Sequence, residues 1–151
     1  MLSNIFSIVR WAIVIILWPF VLLSNSHAGI GACDDLNAIT ETPQVNFELE
    51  IQPILTTHCV GCHSGPNPAA FLDLSVGYTD LVDVDSFEVS GFKRVEPGSI
   101  SRSYLFIKIN CSNQIFGNRM PLNGNPLNLI EQALIRDWIR QLLIFRNGFD
   151  D

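Results

Sequence analysis

Two cysteines and a histidine stand together as Cys59-Val60-Gly61-Cys62-His63, directly preceded by His58. Cys-x-x-Cys-His is the spacing at which a haem is attached through its vinyl groups. Each thiol adds across one vinyl double bond to form a thioether, and two intervening residues let one turn of chain span both vinyls. A histidine next to the second cysteine is then held beneath the iron, where a ring nitrogen can ligate it. Rival chemistries fit less well. Structural zinc needs four ligands in a tetrahedron, yet Cys62 and His63 are sequence neighbours and no second closely spaced pair follows. A thioredoxin-like dithiol needs a βαβ setting, which the flanking pattern lacks. The residues point to one haem c, anchored covalently at Cys59 and Cys62, with His63 as an axial ligand.

The other axial ligand follows by elimination. Met1 and His27 fall in an N-terminal segment expected to be removed, which leaves Met120 as the one methionine of the mature chain. His58 adjoins Cys59 on the attached side of the ring and is badly placed for the far face. Met120 sits in Arg119-Met120-Pro121, where Pro121 restricts the backbone direction. A lone methionine is ordinarily core packing; the lack of another good donor reverses that preference here. Lys93 or Lys108 would have to lose its proton to substitute.

The removable segment is read from Arg10, the apolar run Trp11–Leu23, and the small residues Ser26 and Ala28 in the polar stretch that follows. This is the pattern of a secretory signal cleaved after Ala28. The alternative is an uncleaved anchor facing the periplasm, but Pro19 interrupts the run, which is short of the roughly 20 residues a span needs. Cleavage removes Arg10 alone among the charged side chains, taking the formal net charge from −6 to −7. So acidic a chain is unsuited to nucleic acid or an anionic membrane surface. The expected location is the periplasm, with membrane contact only if the signal is retained or Cys33 is lipidated.

Helices must position these residues. Asn46 can cap a first helix running towards Cys59, with Phe47, Ile51, Ile54 and Leu55 at helical spacing. Pro53 should kink that helix or restart it. Ser64–Pro68 reads as a loop, and Ser75–Val82 as a short helix. Asp80, Asp83 and Asp85 read as solvated turn residues, since no calcium-loop pattern accompanies them. Pro97-Gly98 marks a turn, after which Ser99 or Ser101 can cap a helix reaching about Ile109. Asn128 with Glu131 resembles a capping box for a last helix whose apolar face is Ile130, Leu134, Ile135, Trp138, Ile139 and Leu142. The expected division is a signal peptide at 1–28, an irregular arm at 29–45, an all-α haem domain at 46–145 and a tail at 146–151.

An ordered set of residues resembles the small planctomycete-type cytochrome c-like domains. It comprises Phe47, Ile51-Gln52-Pro53-Ile54-Leu55, Cys59-Val60-Gly61-Cys62-His63-Ser64-Gly65, Leu72-Asp73-Leu74, Val95-Glu96-Pro97-Gly98, Ser103-Tyr104-Leu105, Arg119-Met120-Pro121-Leu122 and Ala133-Leu134-Ile135-Arg136-Asp137-Trp138-Ile139. The resemblance covers about residues 47–141. It implies an all-α, class I cytochrome c-like fold, with N- and C-terminal helices packed around one covalently bound haem. It also implies His63/Met120 ligation and a partly exposed haem edge. The chain departs from the family beyond Trp138-Ile139, where Gln141–Phe145 continues the helix instead of a Gly-Ala stop.

Cys33 and Cys111 remain after haem attachment. An oxidising compartment favours a disulfide between them, worth up to about 4–5 kcal/mol in the chain-entropy account. The rival is acylation of Cys33, because Ile30-Gly31-Ala32-Cys33 resembles a lipoprotein box. Arg94 and Arg119 are candidates for the haem propionates, since guanidinium suits carboxylate forks; ordinary surface charge is the competing reading, favoured for Arg94. Trp138 is expected in the core. The expected function is single-electron transfer to a redox partner protein, not catalysis. The alternative is a haem subunit, sensor or peroxidase-like protein in which Met120 detaches.

Overall fold

A computed structural model describes residues 33–111, 116–122 and 124–146. The expected signal segment, the residues before Cys33 and the tail beyond Arg146 lie outside the described residues. The described chain is all-α, with four α-helices: α1 (Gln52–His58), α2 (Gly77–Leu81), α3 (Tyr104–Asn110) and α4 (Leu129–Arg146). Short 3₁₀ turns connect them, and only isolated β-bridges, no strands, occur among the described residues. No described helix is long and apolar enough to cross a membrane.

Pro53 has the expected effect by an unexpected route. The chain enters α1 through one π-helical turn, Phe47–Ile51, in which the Gln52 N–H donates to the Phe47 carbonyl. Proline cannot donate to the carbonyl four residues back and crowds it; widening the preceding turn relieves that crowding. The α-helix then restarts with Pro53 in its first turn. Asn46 caps as expected. Its Oδ1 accepts from Leu49 N at 3.0 Å, while Glu50 Oε2 accepts from Asn46 N at 2.7 Å. The wider turn shifts the reciprocal carboxylate one place beyond its usual capping-box position.

The cap of α4 is read correctly. Asn128 Oδ1 accepts from Ile130 N and Glu131 N, each at 3.0 Å, and Glu131 Oε2 accepts from Asn128 N at 3.0 Å. Its apolar face needs one correction. Ile130 is 60% exposed, while Ile135, Trp138, Ile139 and Leu142 are buried with Ile51, Leu55, Leu74, Leu81 and Ile109. Ile130 belongs to the first turn, which projects beyond the elements packed on α4. The helix continues to Arg146; the side chains of Leu143, Ile144 and Phe145 are outside the described set. Trp138 stacks near Phe47, with ring centroids 5.1 Å apart, at the crossing of the first and last helical segments.

The second helix pattern also shifts. A 3₁₀ turn at Ile100–Arg102 precedes α3, and Ser103, not Ser99 or Ser101, is the residue before it. Ser103 Oγ donates to Ser99 O at 2.7 Å and accepts from Glu96 N at 2.9 Å. Both earlier serines are thus absorbed in the turn that follows Pro97-Gly98. The short helix expected at Ser75–Val82 is a 3₁₀ turn, Leu74–Val76, running into α2. Asp80 is not a free turn residue: it accepts from Asp73 N at 2.6 Å and pairs with Arg94 at 2.9 Å. Asp83 and Asp85 both face Lys93, at 3.5 and 2.8 Å.

The arm is irregular but firmly held along α4. Arg136 and Asp137, both buried, spend their polar atoms on it. Arg136 donates to Leu36 O at 2.8 Å and Ile39 O at 3.3 Å, and Asp137 accepts from Thr42 N at 2.9 Å. Gln141 accepts from Val45 N at 2.8 Å and donates to Thr42 O at 2.6 Å. The face of α4 that looks polar in sequence is therefore the face the arm covers. Cys33 and Cys111 tether its start, with sulfurs 2.03 Å apart, a disulfide distance. The residues of the lipoprotein-like box before Cys33 lie outside the described set.

Two outcomes follow. A Cβ on Gly77 would lie 2.9 Å from Gln52 Oε1 and 3.0 Å from Leu55 Cδ1. Overpacking costs about 1–3 kcal/mol, against a helix-propensity gain of at most about 1 kcal/mol. Gly77→Ala is therefore expected to lose roughly 1 kcal/mol in denaturant unfolding. Asp34 is held below the usual carboxylate range, chiefly by the Arg119 guanidinium and secondarily, after opposing burial, by Gln132. Its contribution to stability is complete above the ordinary value of 3.8 and is lost as pH falls through the lowered folded value. Asp34→Asn should flatten the acid limb of stability against pH, measured by urea unfolding from about pH 5 down to about pH 2.

Candidate functional site

The residues after α1 continue its winding without remaining helical. Cys59 N donates to Leu55 O at 2.9 Å, and both Cys62 N and His63 N donate to Cys59 O, at 3.1 and 3.0 Å. These turns carry Cys59, Cys62 and His63 onto the wall of a cleft of about 320 Å³. That volume is at the lower end for small-molecule and cofactor sites. Leu72, Leu74 and Leu81 line the cleft, as do Leu105 and Ile109 of α3. Met120, Pro121 and Leu122 line it too. The sequence-predicted anchors and both predicted axial ligands thus border one largely apolar space.

His63 has a defined orientation. Its Nδ1 lies 3.0 Å from the Ala69 carbonyl. A carbonyl can only accept, so Nδ1 carries the proton and Nε2 is left as the basic nitrogen. An imidazole bonded this way is oriented for metal ligation through its other nitrogen. The acceptor is itself fixed. Leu74 N donates to His63 O at 2.8 Å and Ala69 N to Cys62 O at 3.1 Å, closing the loop on itself. Within that loop Ala70 and Phe71 hold φ of 54° and 53°. Left-handed backbone at such residues costs on the order of 1–3 kcal/mol each and persists only where the surroundings enforce it.

Arg94 is what enforces it. Its guanidinium donates to Phe71 O and to Asp80 O, both at 2.8 Å, and pairs with the Asp80 carboxylate. Arg94 also borders the cleft. Arg119 does not: its Nε donates to Ile109 O at 2.7 Å and its fork closes on Asp34 at 2.5 and 3.4 Å. Of the two arginines weighed from the sequence, both have carboxylate partners, Asp80 for Arg94 and the distant Asp34 for Arg119, but Arg94 alone lines the cleft. What sequence reading missed is the burial of Lys108, weighed there only as a substitute ligand: it is 7% exposed on the cleft wall, with Nζ donating to Phe116 O at 2.9 Å and 3.9 Å from Glu88. Its neighbour Tyr104 is pushed up to about 12 by burial and then by Glu88, so its hydroxyl stays protonated and donates to Phe116 O at 3.2 Å.

The remaining nitrogen and sulfur donors are disposed consistently. His58 borders the cleft, but its Nε2 lies 3.0 Å from Glu131 Oε1, on the first turn of α4. Lys93 is taken up by Asp83 and Asp85. Burial, then Cys62, then Glu131 push the Cys59 thiol up to about 11. A disulfide oxidoreductase lowers its attacking thiol instead. No family model, curated protein or solved structure matches the chain.

Arg94→Ala should release the Ala69–Phe71 loop. Hydrogen bonds from a charged donor are worth about 1.5–3 kcal/mol, so a loss of roughly 2 kcal/mol is expected in denaturant unfolding. In nitrogen NMR of the imidazole, His63 should shift from a fixed Nδ1–H form to a mixture of tautomers. Arg94→Lys, which has no fork, should recover less than half of the stability.

Proposed function

We propose that the chain is an exported monohaem c-type cytochrome that carries single electrons, with a class I cytochrome c-like fold. The observation that carries this reading is the pairing of His63 and Met120 on one apolar cleft, with His63 Nδ1 bound to Ala69 O and Nε2 free for metal. The cleft is apolar where a porphyrin face would lie, and Cys59 and Cys62 stand on the same wall as His63. The residues present therefore fit the group. Cys59 and Cys62 would hold haem as thioethers, and His63 and Met120 would be the iron ligands. Bound haem supplies a one-electron couple, with the thioether ligand favouring the reduced state and a higher potential.

The chain's own groups do the rest. The Ala69 carbonyl fixes the imidazole tautomer and raises its basicity as a donor. Leu72, Leu74, Leu81, Leu105 and Ile109 exclude water from the cleft, and a dry, preformed surround reduces the rearrangement that accompanies a change of charge. Arg94 is the guanidinium on the cleft wall suited to a propionate. Its bonds to Phe71 O and Asp80 couple any such contact to the loop that holds His63. Exposed Phe87 and Leu122 on the cleft lining, with exposed Phe71 packed edge-on against Phe87, suit contact with a redox partner protein.

The test is export of the full chain from cells competent in cytochrome c maturation, followed by haem staining and intact mass. One covalent haem is expected, lost in the Cys59→Ser, Cys62→Ser double variant. Met120→Ala should keep the covalent haem, lose the methionine-to-iron band of the oxidised protein, bind CO rapidly when reduced and have a lower midpoint potential. Wild-type protein without covalent haem would sink the reading. A diacylglycerol mass on Cys33 would replace the disulfide with a membrane-anchored form.

A further inference from the structure

From the hydrogen bonds around the end of α3, we infer that Asp34 is a positioning residue for Met120, holding the methionine loop against the cleft through Arg119. The inference rests on the haem reading above and adds to it the group that keeps the iron closed on its methionine side.

Helix α3 ends at Asn110, so its last carbonyls have no partner within the helix. Consecutive residues of the methionine loop take two of them. Met120 N donates to Lys108 O at 2.8 Å, and Arg119 Nε donates to Ile109 O at 2.7 Å. The next carbonyl, Asn110 O, accepts from Asp34 N at 3.1 Å. Asp34 thereby lies beside Arg119 and closes on its fork with both carboxylate oxygens. Two-point charge-assisted pairing of this kind fixes direction as well as distance. Without it, the Met120 backbone is tied to α3 by one amide and one unsupported guanidinium.

The anchor for Asp34 comes from three other directions. Gln132, fully buried on α4, donates from Nε2 to Asp34 Oδ2 at 2.8 Å and to Leu127 O at 2.7 Å. Asn110 Nδ2 donates to Asp34 O and to Gln132 Oε1, both at 3.0 Å. The preceding residue is Cys33, tied to Cys111. Asp34 is therefore fixed to α3, α4 and the arm, and transmits that fixity to the residue next to Met120. Glu41 of the arm forms a different ion pair, with Arg140 of α4 and away from the methionine loop, which supplies a control.

The experiment compares haem-loaded, exported wild type with Asp34→Asn, Asp34→Glu and Glu41→Gln. Three readouts are taken: the methionine-to-iron band of the oxidised protein, CO binding to the reduced protein, and hydrogen exchange of the Met120 amide. Asp34→Asn should weaken the band, raise the CO-accessible fraction by about tenfold and speed exchange at Met120 N, in line with losing a charge-assisted pair. Asp34→Glu should restore much of the wild-type behaviour, and Glu41→Gln should leave all three readouts unchanged even if it lowers stability. Equal effects of Glu41→Gln and Asp34→Asn would overturn the inference, since general loosening would then explain both. A wild type that shows methionine ligation, with Asp34→Asn indistinguishable from it, would overturn the inference alone. A wild type without haem would overturn the cytochrome reading itself, and this inference with it.

Discussion

A seven-residue helix leaves its last carbonyls bare, and the way α3 satisfies them organises the described molecule. Met120 N, the Arg119 side chain and Asp34 N take consecutive acceptors from Lys108 to Asn110. Two segments, the methionine loop and the arm, thus converge on one helix end. The methionine loop gains a fixed seat, the arm gains a direction, and α4 is drawn in through Gln132. The hydrophobic core supplies the driving force, but it is indifferent to direction. These bonds decide which segment lies where.

The His63 side of the site is held by other contacts. The His63 loop closes on itself through Ala69 and Leu74, and Arg94 fastens it to Phe71 and Asp80. Backbone bonds from Tyr104 N to Lys93 O and from Leu105 N to Arg94 O join this support to the start of α3. Left-handed Ala70 and Phe71 lie in the loop that carries the His63 acceptor, where backbone strain is tolerated because the surroundings over-determine it.

Local chemistry was legible in the sequence where it depends on close neighbours. The Asn128/Glu131 cap and the restart at Pro53 involve residues within a turn or two, and both appear in the structure where expected. The all-α composition follows from the same short-range patterns. Long-range pairing was not legible. Nothing local marks Arg136, Asp137 and Gln141 as partners of the arm, whose bonding groups lie 95–100 residues away. Arg119 read as a propionate partner because nothing local competes for it, whereas Asp34, 85 residues away, does. The π-turn before Pro53 was missed because its cause, crowding at one carbonyl, has no periodic signature. The burial of Lys108 has no local signature, because the Phe116 carbonyl and Glu88 reach it from outside its own helix.

The interlock between the arm and α4 also sets the order in which the structure can be completed. Bonds between Leu36 and Arg136, or Thr42 and Gln141, form only once nearly the whole described chain is present. Contacts this far apart in sequence are the slow part of folding. Cys59 and Cys62 stand in the first half of the described chain, on turns that need only α1 to form. Until α3 and the Met120 segment are in place, those thiols face a hollow whose other lining residues have not yet come together.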